Sequence, residues 1–170
     1  FTEPGRTLMK VIGVSCALAL VLVGSQTAVA YDEEMPPDLD GFWAEVSRTV
    51  AEGDFEGYAA TYHEDAILVS GSAETTYPIS QALDGWKEGF ADTESGRMTA
   101  SVEFRFTQRF SDATTAHETG IFHYSMVDAD GRHSGQFIHF EALLTKKQDW
   151  KMMMEYQKSP ATQEEWDAAG

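Results

Sequence analysis

The hydrophobic period of this chain changes once, after "DTESGR" at residues 92–97, from 3.6 residues to 2. Before that point Leu39, Phe42, Trp43, Val46 and Val50 recur at helical spacing, with Asp38 as N-cap and Gly53 as stop. Asp54 opens a second, short helix whose apolar face is Phe55, Tyr58, Ala59 and Tyr62. "AILV" reads as a short strand and "SGSAETTYP" as a loop, after which Ser80 opens a third helix carrying Ala82, Leu83, Trp86 and Phe90. Beyond the change, Val102, Phe104, Phe106 and Phe110 alternate with Glu103, Arg105, Thr107 and Arg109, a strand with one buried face. "HETGIFHYSMV" and "GQFIHFEALL" flank Asp130-Gly131, a strong hairpin signal. "WKMMMEYQ" is a fourth long strand, and "ATQEEWDAAG" a short terminal helix. Helices first and a meander of long strands afterwards make an α+β domain, with helices packed on one face of an antiparallel sheet.

The first 30 residues read differently. From Met9, "MKVIGVSCALALVLVGSQTAVA" has a short basic start, an apolar run and then Ala28-Val29-Ala30, the layout of a secretory signal peptide. The expectation is upstream residues and a leader over 1–30 with cleavage after Ala30. A flexible lead-in over 31–37 and a single domain over 38–170 follow. The apolar run Val11–Gly24 is 14 residues long, short of the roughly 20 that span a bilayer. Cys16, the one cysteine, falls inside the leader, so the exported chain uses neither disulfides nor thiol chemistry. The whole chain carries −16, and removing Glu3, Arg6 and Lys10 with the leader leaves −17. Such a surface repels phosphate backbones and anionic lipid, which argues against nucleic acid or membrane partners after cleavage. A periplasmic or secreted location is expected.

Three stretches carry a family resemblance. "FWAEVSRTVAEGDFEGYAATYHEDAILV" has a helix, a Gly-Asp break, a short helix ending in Tyr, then an acidic pair and a strand. "GQFIHFEALLTKKQDWKMMMEYQKSP" has a turn followed by Trp, Lys, an apolar run and Ser-Pro, and the Trp86–Phe90 helix lies between the two. Over most of residues 38–160 the chain resembles the nuclear transport factor 2-like superfamily, in its ketosteroid-isomerase and SnoaL-like branch. The resemblance implies a cone-shaped curved antiparallel sheet whose concave face and helices enclose a pocket. Members include isomerases, polyketide cyclases, dehydratases and subunits that only assemble. Isomerase members use aspartates within the pocket, whereas the pocket-facing strands here offer glutamates.

A two-residue Asp130-Gly131 turn pairs Tyr124 with Phe137 and Phe122 with His139. Glu118, Tyr124, His139 and Glu141 then share one face, and alternation from Trp150 adds Met154 and Tyr156 to it. The expected cavity is walled by Trp43, Tyr62, Trp86, Phe90, Phe104, Phe106, Phe122, Met154 and Tyr156. His139, Glu141, Glu118 and Tyr124 are the candidate catalytic groups. Two carboxylates in an apolar pocket can share a proton, while His139 and Tyr124 polarise a carbonyl or shuttle a proton. The alternative is that His139 and Glu141 form a buried structural hydrogen bond. No metal site and no cofactor are expected, since His139-x-Glu141 needs a third ligand and offers only Glu118.

Two functional classes stay open. One is a domain that binds a small, mostly apolar molecule or serves as a non-catalytic assembly module. The other is an enzyme doing acid–base chemistry of isomerase, dehydratase or cyclase type in the same pocket. The face away from the pocket carries Ile121, Ile138, Phe140 and Leu144 in adjacent strands, an apolar patch expected to pair with a second copy about a two-fold axis. The N-terminal "YDEEMPP" arm or the "EEWDAAG" tail folded across that patch within one chain is the alternative.

Overall fold

The computed structural model describes residues 37–170. The leader, its cleavage after Ala30 and the lead-in before Pro37 lie outside the described residues. Among the described residues no helix is long and apolar enough to cross a membrane.

Helix α1 (Pro37–Glu52) and helix α2 (Phe55–Ala60) are separated by Gly53, whose φ of 72° suits only a residue without a Cβ. Asp54 caps α2, its Oδ1 accepting from the Gly57 amide at 2.8 Å. Strand β1 (Tyr62–Ser70) turns into the short strand β2 (Thr75–Pro78), and helix α3 (Ile79–Glu94) completes the helical half. The segment read as the loop "SGSAETTYP" thus contains a paired strand, Leu68 lying opposite Tyr77. Strands β3 (Thr99–Ser111), β4 (Thr115–Val127), β5 (His133–Lys146) and β6 (Trp150–Ala161) form the meander, and α4 (Gln163–Ala168) ends the chain.

The six strands make one curved, unclosed sheet in the order β2-β1-β6-β5-β4-β3. All pairs are antiparallel except β1 with β6, where the first strand of the domain returns alongside the last. The expected α+β architecture holds, with that one parallel pair added. Leu39, Phe42, Trp43, Val46 and Val50 on α1 are all at most 8% exposed. Trp43 stands at ring-centroid distances of 4.6 Å from Phe104 and 5.7 Å from Phe140. The apolar stripe of α1 therefore closes the concave face of the sheet.

Three local irregularities set which side chains face inward. Gly131 has φ 75° and its amide donates to Asp128 O at 2.9 Å, while Asp128 N donates to Arg132 O at 3.1 Å. This is a three-residue loop ending in a left-handed glycine, in place of the expected two-residue turn. One extra residue reverses every side chain of β5 relative to β4. Tyr124 pairs with Gln136 and Phe122 with Ile138. Ile138, Phe140, Ala142 and Leu144 accordingly face the core, and His139 and Glu141 face the opposite side.

The second irregularity lies within the methionine run. Leu144 pairs with Met152 but Leu143 pairs with Met154, so Met153 is an extra residue in β6. Trp150 and Met152 face inward as expected. Beyond the bulge the parity is reversed, and Glu155 and Gln157 turn inward where Met154 and Tyr156 were expected. The third irregularity falls between Phe106 and Gln108 in β3. It sends Arg109 to the inner face and leaves Phe110 outside, 56% exposed.

These reversals also correct the expected dimer surface. Phe140 and Leu144 are 2% and 1% exposed within the core, and Ile138 packs against that core. Ile121 does lie on the outer face but is only 2% exposed. That face carries α4: Trp166 stands 5.5 Å from the Phe137 ring and 5.8 Å from His123, and Arg105 lies 4.3 Å over the indole. Thr162 and Glu165 form a reciprocal capping box that starts the helix. The tail thus folds across part of the expected interface within one chain.

Candidate functional site

A cavity of about 350 Å³ lies between the concave sheet and the helices. Trp43, Tyr62, Trp86, Phe90, Phe104, Phe122 and Tyr124 line it, as the sequence led one to expect. Phe106 does not line the cavity; it packs behind it, 5.3 Å from Trp43 and 6.0 Å from Phe140. Met154 and Tyr156 stand on the outer face.

Nor do His139 and Glu141 reach the cavity. Nε2 of His139 lies 3.3 Å from Glu165 Oε1 of α4, and Glu141 accepts from Lys158 Nζ at 2.6 Å with His117 3.8 Å away. The Lys158 hydrogen bond and charge, with His117 adding a little, hold the Glu141 carboxyl below its ordinary value against a modest desolvation. These are outer-face pairs. Glu118 does face inward, yet it is sealed under α1, fully buried, where it accepts from Trp43 Nε1 and from Arg109 Nε. Arg109 also donates to Asp40 at 2.6 Å. Desolvation disfavours the Arg109 charge, and the bonds to Glu118 and Asp40 outweigh it, so its pKa is raised. Of the four candidate acid–base groups, only Tyr124 lines the cavity.

The carboxyl that lines the cavity is Glu155, 8% exposed. Its Oε2 accepts from the Tyr62 hydroxyl and its Oε1 accepts from Gln157 Nε2 at 2.7 Å. The Tyr58 and Tyr62 hydroxyl oxygens are 3.1 Å apart, which extends the network to α2. Burial pushes the Glu155 carboxyl above its ordinary value, and the bonds from Gln157 and Tyr62 offset that only in part. Burial, followed by the nearby Glu155 charge, raises the Tyr58 and Tyr62 phenols as well; burial alone raises Tyr124.

A phenol has one proton to give. When Glu155 is ionised, Tyr62 donates to it and must accept from Tyr58. When Glu155 is protonated, the same three oxygens can run the chain the other way, leaving the Tyr58 proton free. Protonation at Glu155 is therefore linked to whether Tyr58 offers a donor or an acceptor. That is the equipment for moving a proton at a carbonyl or hydroxyl.

Sequence reasoning missed Glu155, Gln157, Tyr58 and Gln136, all of which line the cavity. One signal was available: a glutamate inside the apolar run "MMMEY" is as costly to bury as the one in "HFEALL". Among the described residues no group of three or more His, Cys, Asp or Glu side chains is arranged to hold a metal ion.

A curved sheet closed on its concave side by helices over an aromatic cavity is the nuclear transport factor 2-like fold. The chain belongs within it to the SnoaL-like domain family, whose pattern it matches over residues 42–163. Solved structures of the same fold include a conserved protein from Planctomyces limnophilus, at 8% identity and TM-score 0.62, covering 73% of this chain and 95% of that one. A nuclear transport factor 2-like protein of unknown function from Shewanella oneidensis is similar at 17% identity and TM-score 0.53, over 70% and 94% of the two chains. ActVI-ORFA from Streptomyces coelicolor is similar at 15% identity and TM-score 0.56, over 70% and 92%. Among curated proteins none matches this chain.

Proposed function

We propose that this is an exported small-molecule-binding protein, its cavity holding a mostly apolar ligand whose polar group meets the Glu155–Tyr62–Tyr58 chain. Export rests on the Met9–Ala30 pattern. The observation that carries the binding reading is Glu155 itself, a carboxyl held against its own desolvation in an aromatic cavity. Acid–base chemistry on a bound carbonyl or hydroxyl is the enzymatic form of the same reading.

Burial raises the Glu155 pKa in the fold, so its neutral form folds more readily than its anion. Its stability contribution is full below the ordinary carboxylate value and is lost as pH rises through the raised one. Glu155→Gln removes that loss. The variant is expected to gain on the wild type between about pH 5 and about pH 8, ending roughly 0.5–2 kcal/mol more stable. Urea denaturation of both proteins at the two pH values measures this. A variant less stable than the wild type at the higher pH would assign Glu155 to structure alone.

A second reading, an assembly module, has its own observation. Phe110, His117, Leu143, Met154 and Ile67 stand in register across five strands of the outer face. Phe110, Leu143 and Ile67 are 56%, 43% and 41% exposed. We propose a second copy of this chain as the occupant, since a row of four apolar side chains and one histidine can pair with its own copy about a two-fold axis perpendicular to it. Sedimentation is expected to show a dimer that Leu143→Glu converts to monomer. A wild-type monomer at tens of micromolar, or a dimeric variant, rejects it.

A further inference from the structure

The cavity has an unusual charge balance. Among the described residues that line it there is no lysine, arginine, histidine or aspartate, and Glu155 is its one acid. The other titratable groups facing it are phenols: Tyr58 from α2, Tyr62 from β1 and Tyr124 from β4. Helices α1 and α3 and strands β3 and β5 present only uncharged side chains to it, Gln136 and Thr93 being the polar ones. Among the described residues no basic side chain is paired with Glu155. The buried Glu118, by contrast, is matched by Arg109.

Aromatic side chains line the cavity beside the Glu155–Tyr62–Tyr58 chain. Tyr62 and Tyr58 are 5.6 Å apart edge to face, and Tyr58 stands 4.9 Å from Phe90 and 6.0 Å from Trp86. Faces of Trp, Tyr and Phe attract a cation through their quadrupoles, most strongly where water is excluded. The chain as a whole is at −16, a field that draws cations in and turns anions away.

We propose that the natural ligand is cationic, an amine or quaternary ammonium on an apolar or aromatic body, with its charge placed at Glu155 among the rings of Tyr58, Tyr62 and Trp86. This deepens the binding reading given above and rests on it. An uncharged ligand gains the apolar contacts but leaves the carboxyl to be neutralised by a proton. A cation supplies both the contacts and the counter-charge. Binding then expels the proton that burial favours on Glu155, and affinity rises with pH across the titration of that group.

Phenyltrimethylammonium and tert-butylbenzene have one shape and differ in charge, and calorimetry with each tests the assignment. At about pH 8 the ammonium is expected to bind roughly tenfold or more tightly than the hydrocarbon. Near about pH 5 it should bind more weakly and release up to about one proton, seen as a dependence of the heat on buffer ionisation. In Glu155→Gln the preference should shrink to within about twofold while tert-butylbenzene binds as before. Trp86→Leu, which keeps Glu155, should weaken the ammonium more than the hydrocarbon. Equal or tighter binding of tert-butylbenzene to the wild type overturns the proposal and leaves the cavity as a site for neutral ligands. An ammonium preference that Glu155→Gln leaves undiminished also overturns it, because the acidic surface or the rings alone then account for the effect. Failure of both compounds to bind removes the binding reading together with the proposal.

Discussion

Glu118→Ala is expected to lower the free energy of unfolding by about 3–5 kcal/mol, the range for breaking a buried ion pair from one side. Glu118 is fully buried, and its removal strips Arg109 Nε and Trp43 Nε1 of their acceptor at once. Asp40 remains 2.6 Å from Arg109 Nη1, but it is an exposed partner and compensates little. Arg109 Nη2 is already buried without a hydrogen-bond partner, so the guanidinium has no reserve of solvation. Urea denaturation read by tryptophan fluorescence gives the loss directly, since Trp43 reports the site. The double variant Glu118→Leu with Arg109→Met should recover most of it, because the charge left behind is the main cost. A single-variant loss under about 1 kcal/mol would show that water reaches the pair.

Phe140→Ala comes next, at about 3–5 kcal/mol. Four rings surround Phe140: Phe104 at 5.6 Å, Trp43 at 5.7 Å, Phe122 at 5.9 Å and Phe106 at 6.0 Å between centroids. Truncation forfeits the burial of one ring and the contacts of the other four. Because Phe140 also lines the cavity, the space vacated joins an existing void, which places the cost toward the lower end of that range. Phe140→Glu should leave the chain largely unfolded, since an unpaired carboxylate would enter a buried position surrounded by four rings. A folded, stable Phe140→Glu protein would show that this ring is not where β5 places it. Midpoint shifts in urea, with the slope unchanged, are the measurement.

How much of this was legible beforehand depends on what each residue type encodes. The helical stripe from Leu39 to Val50, the Asp54 cap, the long strands after residue 97 and the aromatic walls Trp43, Trp86, Phe90, Phe104 and Phe122 all follow from local periodicity, whereas Tyr62, read as the end of the short helix, opens β1. The acid–base groups did not, because their facing depends on counting residues across turns and bulges. Asp130-Gly131 announced a hairpin correctly, yet the same dipeptide serves a two-residue turn and the last positions of a three-residue loop. The choice reversed His139 and Glu141. In β5 both faces are apolar, so alternation could not correct the error: Phe137 packs under Trp166 on one side while Phe140 fills the core on the other. "KMMMEYQ" posed the same difficulty, for three methionines carry no polar-apolar contrast to fix a register. Glu118 was placed on the right face, but its partner Arg109 was hidden by the bulge near Phe106 that separates it from the alternation of β3.

The bulge at Met153 makes the character of the cavity a matter of strand register as much as of residue identity. Upstream of Met153 the strand contributes Met152 to the cavity wall and Trp150 to the core; downstream, in opposite phase, it contributes Glu155 and Gln157 to the polar corner. Met153 is the residue in excess, and its bulge keeps the residues downstream in the phase that a strand one residue shorter would give them. Removing Met153 would straighten the strand and leave Glu155 and Gln157 facing inward, whereas a straight strand that kept all three methionines would turn Met154 and Tyr156 inward in their place. A one-residue insertion that the strand takes up in register, with no bulge to absorb it, is therefore the event by which relatives of this protein could trade an acidic pocket for a neutral one.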